Sequence, residues 1–227
     1  MGIFQRSWAD LISYSFKAMD PINVFRSSCL IGLKYIKGDI IDYEKLLNDV
    51  ILSTDEALMK ASKAAKEDSG TTALIAILEG SQLIVANVGD SRGVMCDATG
   101  NAVPLSFDHK PNRGDEKERI EKEGGGVKFK NGKWMLDGWI EMLRTLGNRL
   151  DKFNGLIATP EVLTFYLSDY KPQFLVLATD GLYNVMRNDQ IIAFIQARLD
   201  EEYYGAKSLV RYAYHHKGPK ITSRSWW

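Results

Sequence analysis

Cysteine is scarce: the 227 residues carry two, Cys29 and Cys96, too few for a disulfide framework or a four-ligand zinc site, and their separation matches no metal-binding spacing. A reducing compartment is the simplest expectation, and the chain reads as intracellular and cytoplasmic. Long apolar runs are missing as well. Stretches such as Ser28 to Ile36 and Phe174 to Ala178 fall far short of the roughly 18 to 20 residues that span a bilayer, so no membrane segment is expected. Arg6 and Asp10 interrupt Ile3 to Tyr14, leaving no apolar core for a signal peptide. Net charge is absent too: 29 Lys and Arg balance 29 Asp and Glu, which removes the electrostatic basis for nonspecific binding to nucleic acid or anionic lipid.

What is present is ordinary for a globular protein. An apolar share of 45% and an aromatic share of 11% suffice for a sizeable core, so dominant disorder is excluded. At about 150 residues per domain, the length favours one. Residues 1–40 are the least legible part, with a short helix expected near Trp8 to Met19. From Asp42 the apolar residues Leu46, Leu47, Val50, Ile51, Ala57, Leu58, Ala61 and Ala64 recur at three- and four-residue steps, with Lys45, Asp49, Asp55, Lys60 and Lys63 filling the other face. This predicts a long amphipathic helix ending before Ser69-Gly70.

Short β-branched runs follow, Thr71 to Leu78, Leu83 to Val88, Gly93 to Cys96 and Ala102 to Leu105, each bounded by Gly, Asn, Asp or Ser. They predict a meander of antiparallel strands, because the intervals leave no room for crossover helices. Asp115 to Glu123 predicts a charged, solvated surface helix, and Val127 to Leu136 a hairpin around Asn131-Gly132. Val162 to Leu167 and Phe174 to Ala178 are further strands; the second is nearly continuous in Phe, Leu and Val and is expected to be central. Asn188 is expected to cap a helix running to about Leu199, and a last helix follows Gly205. The predicted fold class is α+β, antiparallel sheets flanked by helices.

Two segments place a carboxylate directly after an apolar strand and beside a glycine: Val88-Gly89-Asp90-Ser91-Arg92 and Ala178-Thr179-Asp180-Gly181. Acids at neighbouring strand ends can share a hard divalent cation such as Mg²⁺ or Mn²⁺. Spacing alone favours turn residues that bond their own backbones.

Gly70-Thr71-Thr72-Ala73, then Val85 to Gly93, then Leu105-Ser106-Phe107-Asp108-His109-Lys110-Pro111, then Leu177-Ala178-Thr179-Asp180-Gly181-Leu182-Tyr183, in this order, resemble the metal-dependent protein serine/threonine phosphatases (PPM, type 2C). The resemblance covers about residues 33–214. It divides the chain into a divergent N-terminal segment at 1–32, a partial phosphatase domain at 33–214 and a divergent C-terminal tail at 215–227. It implies an antiparallel β-sandwich flanked by helices, two Mg²⁺ or Mn²⁺ ions that activate a water, and a phosphoserine or phosphothreonine protein as substrate or partner. By the same resemblance, Asp180 corresponds to a carboxylate of the core metal pair and Asp108 to one serving an accessory metal. Asp90 reads as a structural turn acid and His109 as a loop-stabilising histidine without a catalytic role.

Departures from the family pattern set a further expectation. The Asp-Gly-His-Gly-Gly metal motif and the upstream arginine segment that holds substrate phosphate do not occur in this sequence. Asn148 and Asn184 stand where the family usually has aspartate, Met135 where it has arginine, and Glu141-Met142 where it is small and apolar. Pro219-Lys220 precedes Ile221-Thr222 in place of an Asp-Asn pair, and the family's last strand is expected to be missing. Two readings follow. One is a phosphatase that is inactive or weak as this chain stands, its remaining ligands lying elsewhere; the other is a non-catalytic pseudophosphatase that binds a partner or phosphoprotein. His215-His216 reads as an exposed pair, and Trp226-Trp227 as a sticky patch or partner contact.

Overall fold

The computed structural model describes residues 42–66, 68–150, 152 and 155–216. The short helix expected near Trp8 to Met19, the segment 1–32 and the Trp226-Trp227 end lie outside the described residues. The long amphipathic helix forms as α1 (Tyr43–Ala65), opened by Asp42, whose side chain accepts from the Lys45 backbone N–H at 3.0 Å. Strands β1 (Gly70–Thr71), β2 (Ala73–Glu79), β3 (Gln82–Val88), β4 (Arg92–Cys96) and β5 (Ala102–Pro104) follow. Helix α2 (Gly114–Lys122) leads to the hairpin β6 (Val127–Lys130) and β7 (Lys133–Leu136), whose turn residues Asn131 and Gly132 take the positive φ that a tight turn requires. Next come β8 (Leu146–Gly147), β9 (Glu161–Tyr166), a single turn α3 (Leu167–Tyr170), β10 (Phe174–Ala178) and another short turn α4 (Asp180–Tyr183). Helix α5 (Asn188–Gln196), a 3-10 turn at Glu202–Gly205 and α6 (Ala206–His216) close the described chain. His215 and His216 are exposed in the last turn of α6, with His216 stacked on Tyr212.

Two three-stranded sheets, in the orders β2-β3-β9 and β10-β4-β5, have antiparallel neighbours throughout. Alternation along each strand assigns its two faces. Leu74, Ala76, Leu83 and Val85 meet Met95 and Leu105 between the sheets. Ile75, Ile84, Ala86 and Val88 face Leu47, Val50 and Ile51 of α1 on one outer side. Val94 and Cys96 face Ile192 of α5 on the other. The layers therefore run helix, sheet, sheet, helix: the α+β class that the sequence pattern predicts, in the sandwich that the family resemblance implies.

Four expectations need correction. The run β2 to β5 is not one meander, because β3 and β4 pair into different sheets and the chain crosses between them at Gly89–Ser91. β10 is an edge strand of its sheet among the described residues. Its unbroken apolar run arises because both faces are covered, Phe174 and Val176 by the helices and Leu177 by the facing sheet. Asn188 does not cap α5; Arg187 occupies that position. The helix Asp115 to Glu123 is not a wholly solvated face, since Glu116 and Ile120 on its inner side are buried.

Asp55, expected on the solvent face of α1, is also buried. Its carboxylate accepts from the Gly147 backbone N–H at 2.7 Å and pairs with Lys152 at 3.1 Å. Gly147 has φ +75, and a Cβ there would lie 2.3 Å from the Ser69 carbonyl oxygen, so the chain at β8 must be a glycine held by this carboxylate. Burial raises the Asp55 pKa above the ordinary carboxylate value, against the pull of Lys152. Asp55→Ala leaves a buried N–H unpaired and leaves the Lys152 ammonium with the Thr145 carbonyl but no counter-charge, and should cost roughly 2–4 kcal/mol. Urea denaturation checks it: the midpoint falls, the m-value holds, and exchange of the Gly147 amide accelerates.

Candidate functional site

The crossing between sheets creates the site. Gly89, at φ +109, turns the chain directly after β3, and a Cβ there would lie 2.3 Å from the Thr72 methyl carbon. Only glycine fits that turn, which delivers Asp90 to the end of β4. β4 and β10 pair up to Ala178 opposite Arg92; both chains leave the sheet there, and just beyond it the Asp180 charge acts on Asp90. Leu105 N–H bonds the Gly93 carbonyl at 2.8 Å and Ser106 Oγ accepts from Gly93 N–H at 3.0 Å, so the chain beyond β5 carries Asp108 to the same end. Asp90, Asp108 and Asp180 thus converge at one end of the β10-β4-β5 sheet.

Each of the three is already engaged by a protein donor. Asp108, expected at an accessory metal, receives a two-pronged grip from Arg92, Nε to Oδ1 at 2.8 Å and Nη2 to Oδ2 at 3.0 Å. The third guanidinium nitrogen donates to Asn188 Oδ1 at 2.9 Å, which gives Asn188 a different task from the expected helix cap. The guanidinium lies over the Tyr183 ring at 4.7 Å, and Tyr183 Oη donates to the Arg92 carbonyl at 2.8 Å. Burial raises the Tyr183 phenol well above its usual pKa, so it remains a donor. Asp90 is buried and pairs with Lys110. Burial raises its pKa, Lys110 opposes that rise, and the Asp180 and Asp108 charges add to it. Asp180 opens α4 and accepts from Asn184 Nδ2 at 2.9 Å. Asn184, one of the positions where the resemblance anticipates aspartate, therefore supplies a donor to Asp180 where a carboxylate would supply a second acceptor.

His109 ties the Asp108 loop to the Gly89 turn. Its backbone N–H bonds the Gly89 carbonyl at 3.0 Å, and its Nδ1 accepts from Gly89 N–H at 3.0 Å. The ring is 0% exposed, with Nε2 finding nothing nearer than Glu161 Oε2 at 3.5 Å. Around it lies an ion-pair network that the sequence did not reveal. Arg113 holds Glu161 at 2.7 and 2.9 Å, and Glu116, 1% exposed, is held by Arg144 and Arg119. Burial alone would raise the Glu116 pKa, but the hydrogen bonds from Arg144 and Arg119 outweigh it and hold it below the ordinary value. Elsewhere, Asn148 sits at φ +50 with its N–H on the Ser69 carbonyl at 2.9 Å, beside the β1–β8 pair and apart from these acids' hydrogen bonds.

The donor set does not fit a pair of divalent cations. Such ions need several free carboxylate oxygens, and here Arg92 occupies both oxygens of Asp108 while Lys110 and Asn184 engage Asp90 and Asp180. Among the described residues no group of three or more His, Cys, Asp or Glu is arranged to hold a metal ion.

An antiparallel double sheet flanked by helices, with carboxylates gathered at the strand ends, defines the class of protein, and comparison with known proteins gives the family. The family model described as Protein phosphatase 2C matches residues 25–217. The chain is 42% identical over 184 residues to Protein phosphatase 1L of Bos taurus, covering 81% of this chain and 51% of that protein. It is 41% identical over 175 residues to Probable protein phosphatase 2C 59 of Arabidopsis thaliana, covering 77% and 55% respectively. A solved serine-threonine phosphatase 2C from Toxoplasma gondii superposes with TM-score 0.72 at 23% identity, over 86% of this chain and 71% of that one. A C. elegans sex determining protein does so with TM-score 0.73 at 20% identity, over 83% and 46%. This chain belongs to the protein phosphatase 2C family. It spans about half the length of the curated relatives named here. No helix among the described residues is long and apolar enough to cross a membrane.

The buried histidine gives a pH signature. Burial first, and then the Arg144 charge, hold the His109 pKa down to about 4, against the Glu116 and Glu161 carboxylates that pull it upward. An unfolded histidine takes its proton near 6.5 and the folded one near 4, so unfolding binds a proton between these values and stability falls as the pH drops through that window. The full effect is on the order of 3 kcal/mol. In denaturation curves across that window, His109→Gln should flatten the dependence relative to the parent chain; an unchanged slope would show that the proton uptake lies elsewhere.

Proposed function

We propose that this chain is a phosphoprotein-directed module of the metal-dependent serine/threonine phosphatases that turns over little or no substrate by itself. The observation that carries this reading is the occupation of all three gathered carboxylates by Arg92, Lys110 and Asn184. In the family chemistry, two Mg²⁺ or Mn²⁺ ions lower the pKa of a bound water and neutralise the phosphoryl oxygens. A site whose acids are neutralised by a guanidinium and an ammonium offers little to attract such ions. Asp180 is the residue here that would serve a core metal, and Asp108 would reach an accessory metal only after leaving Arg92. On the enzymatic reading, segments of a longer protein would have to supply the missing aspartates; on the non-catalytic reading, the module recognises a phosphoserine or phosphothreonine protein, in the cytoplasm, without hydrolysing it.

A specific feature favours the non-catalytic reading over mere incompleteness. Asn148 and Asn184 lie inside the matched region, and Pro219-Lys220 stands at the family's Asp-Asn pair, so added chain at the N-terminus would not replace these positions. The boundaries at 1–32, 33–214 and 215–227 belong to the same proposal.

Calorimetric titration of the purified chain with Mn²⁺, run beside a phosphopeptide assay, tests it. The expected outcome is no saturable high-affinity metal binding and no turnover above the blank. Mn²⁺-dependent hydrolysis that disappears in Asp180→Ala would contradict the proposal.

A further inference from the structure

The hairpin β6–β7 is anchored at its base and bare towards its tip. Val127, Leu136 and Ile140 pack with Ile120 and Leu143, and Asp137 N–H bonds the Gly126 carbonyl at 2.7 Å. From Lys128 to Trp134 every residue is exposed. The register pairs Val127 with Leu136, Lys128 with Met135, Phe129 with Trp134 and Lys130 with Lys133, and residues directly opposite share a face. Phe129 and Trp134 therefore stand on one side, in edge-to-face contact at 5.2 Å, and Lys128, Lys130 and Lys133 stand on the other.

Apolar surface is nonetheless open on both sides. Phe129 is 61% and Trp134 41% exposed, while Trp139, 80% exposed, sits on the lysine side with Lys130 Nζ over its ring at 4.7 Å. The balanced total charge of the chain conceals a local excess here, since residues 127–136 carry three lysines and no acid. Asp137 and Glu141 at the base reach Lys128 at 3.9 Å and Lys133 at 2.5 Å, in solvent-exposed pairs that contribute little. Lys130 has no ion-pair partner among the described residues.

We propose that this tip is a membrane-contact element, which enters the headgroup layer of a bilayer rich in anionic phospholipid. Aromatic rings with lysines between them suit that layer. The rings favour a boundary between apolar and wet surroundings, and lysine stems run along apolar surface while their ammonium groups stay at the phosphates. The distribution of the side chains selects a lipid layer over a protein partner. A docked protein covers one face of a two-stranded ribbon and leaves the other in water, whereas a headgroup layer surrounds a projecting tip and takes Phe129, Trp134 and Trp139 together. The charge agrees in sign, because an anionic leaflet attracts the three lysines and competes with their exposed carboxylate partners. The contact is interfacial and needs no spanning segment.

Flotation of the purified chain with vesicles tests the proposal, comparing phosphatidylcholine alone with phosphatidylcholine containing about 30% phosphatidylserine. The expected result is capture by the mixed vesicles that is lost as salt is raised, with little capture by phosphatidylcholine alone. Phe129→Ser with Trp139→Ser, and separately Lys128→Glu with Lys130→Glu, change exposed side chains. Each pair should leave the urea midpoint in place and weaken capture roughly tenfold or more. In a chain carrying Trp8→Phe, Trp226→Phe and Trp227→Phe, the remaining Trp134 and Trp139 should be quenched by acrylamide in solution and shielded once mixed vesicles are added. No capture by the mixed vesicles overturns the proposal, and binding of polyglutamate in its place would assign the tip to an acidic protein. Capture that both double variants retain overturns it as well. So does shielding of Trp134 and Trp139 before vesicles are added, which would show that another part of the chain covers the tip.

Discussion

Carboxylates gathered at one end of a sheet repel one another and lose hydration, so the fold must bring positive charge to the same place. In this protein that charge comes chiefly from Arg92, seated at the start of β4 between its two sheet neighbours. Its guanidinium grips both oxygens of Asp108, donates to Asn188 on α5 and lies over Tyr183 of α4. One side chain therefore ties the strand crossing, the loop beyond β5 and the outer helical layer together. Lys110 supplies the second charge, to the more deeply buried Asp90. A planar fork suits this role better than an ammonium would, because it satisfies two oxygens and a third acceptor in fixed geometry.

The same economy of charge separates this arrangement from one built around divalent cations. Arg92 and Lys110 hold their acids in ion pairs, whereas a metal pair needs those oxygens to be available. Asn184 makes the contrast local: as an amide it donates to Asp180, and as an aspartate it would add charge that only a cation could relieve. Family membership and catalytic competence are thus distinct statements for this chain. The first rests on the matched residues 25–217; the second depends on a ligand set that the described residues do not assemble.

Much of the fold was legible in the sequence because period and turn chemistry are local. The α1 stripe, the strands bounded by Gly, Asn and Asp, and the Asn131-Gly132 hairpin all appear where their patterns place them. What local pattern cannot show is which sheet a strand joins. A continuous apolar run indicates cover on both faces, and β10 has that cover while pairing with one strand only among the described residues. The site was legible in part for a similar reason. Strand-end acids beside glycine marked Asp90 and Asp180, but the partners that decide their chemistry lie far along the chain, as Asn188 does from Arg92. Glu116 and Asp55 read as surface acids because charge in sequence suggests solvent; only packing shows that arginines and a backbone N–H hold them inside.

The most direct test of the account is a double-mutant cycle between Arg92 and Asp108, read by urea denaturation. If the guanidinium serves as the counter-charge of the acid cluster, Arg92→Met strips Asp108 of its partner and the single variants destabilise strongly. Arg92→Met with Asp108→Asn should then recover stability relative to the sum of the single changes, with a coupling of about 1.5 kcal/mol or more. Additivity to within about 0.5 kcal/mol would contradict the account, because it would mean that Asp108 is neutralised by something other than Arg92.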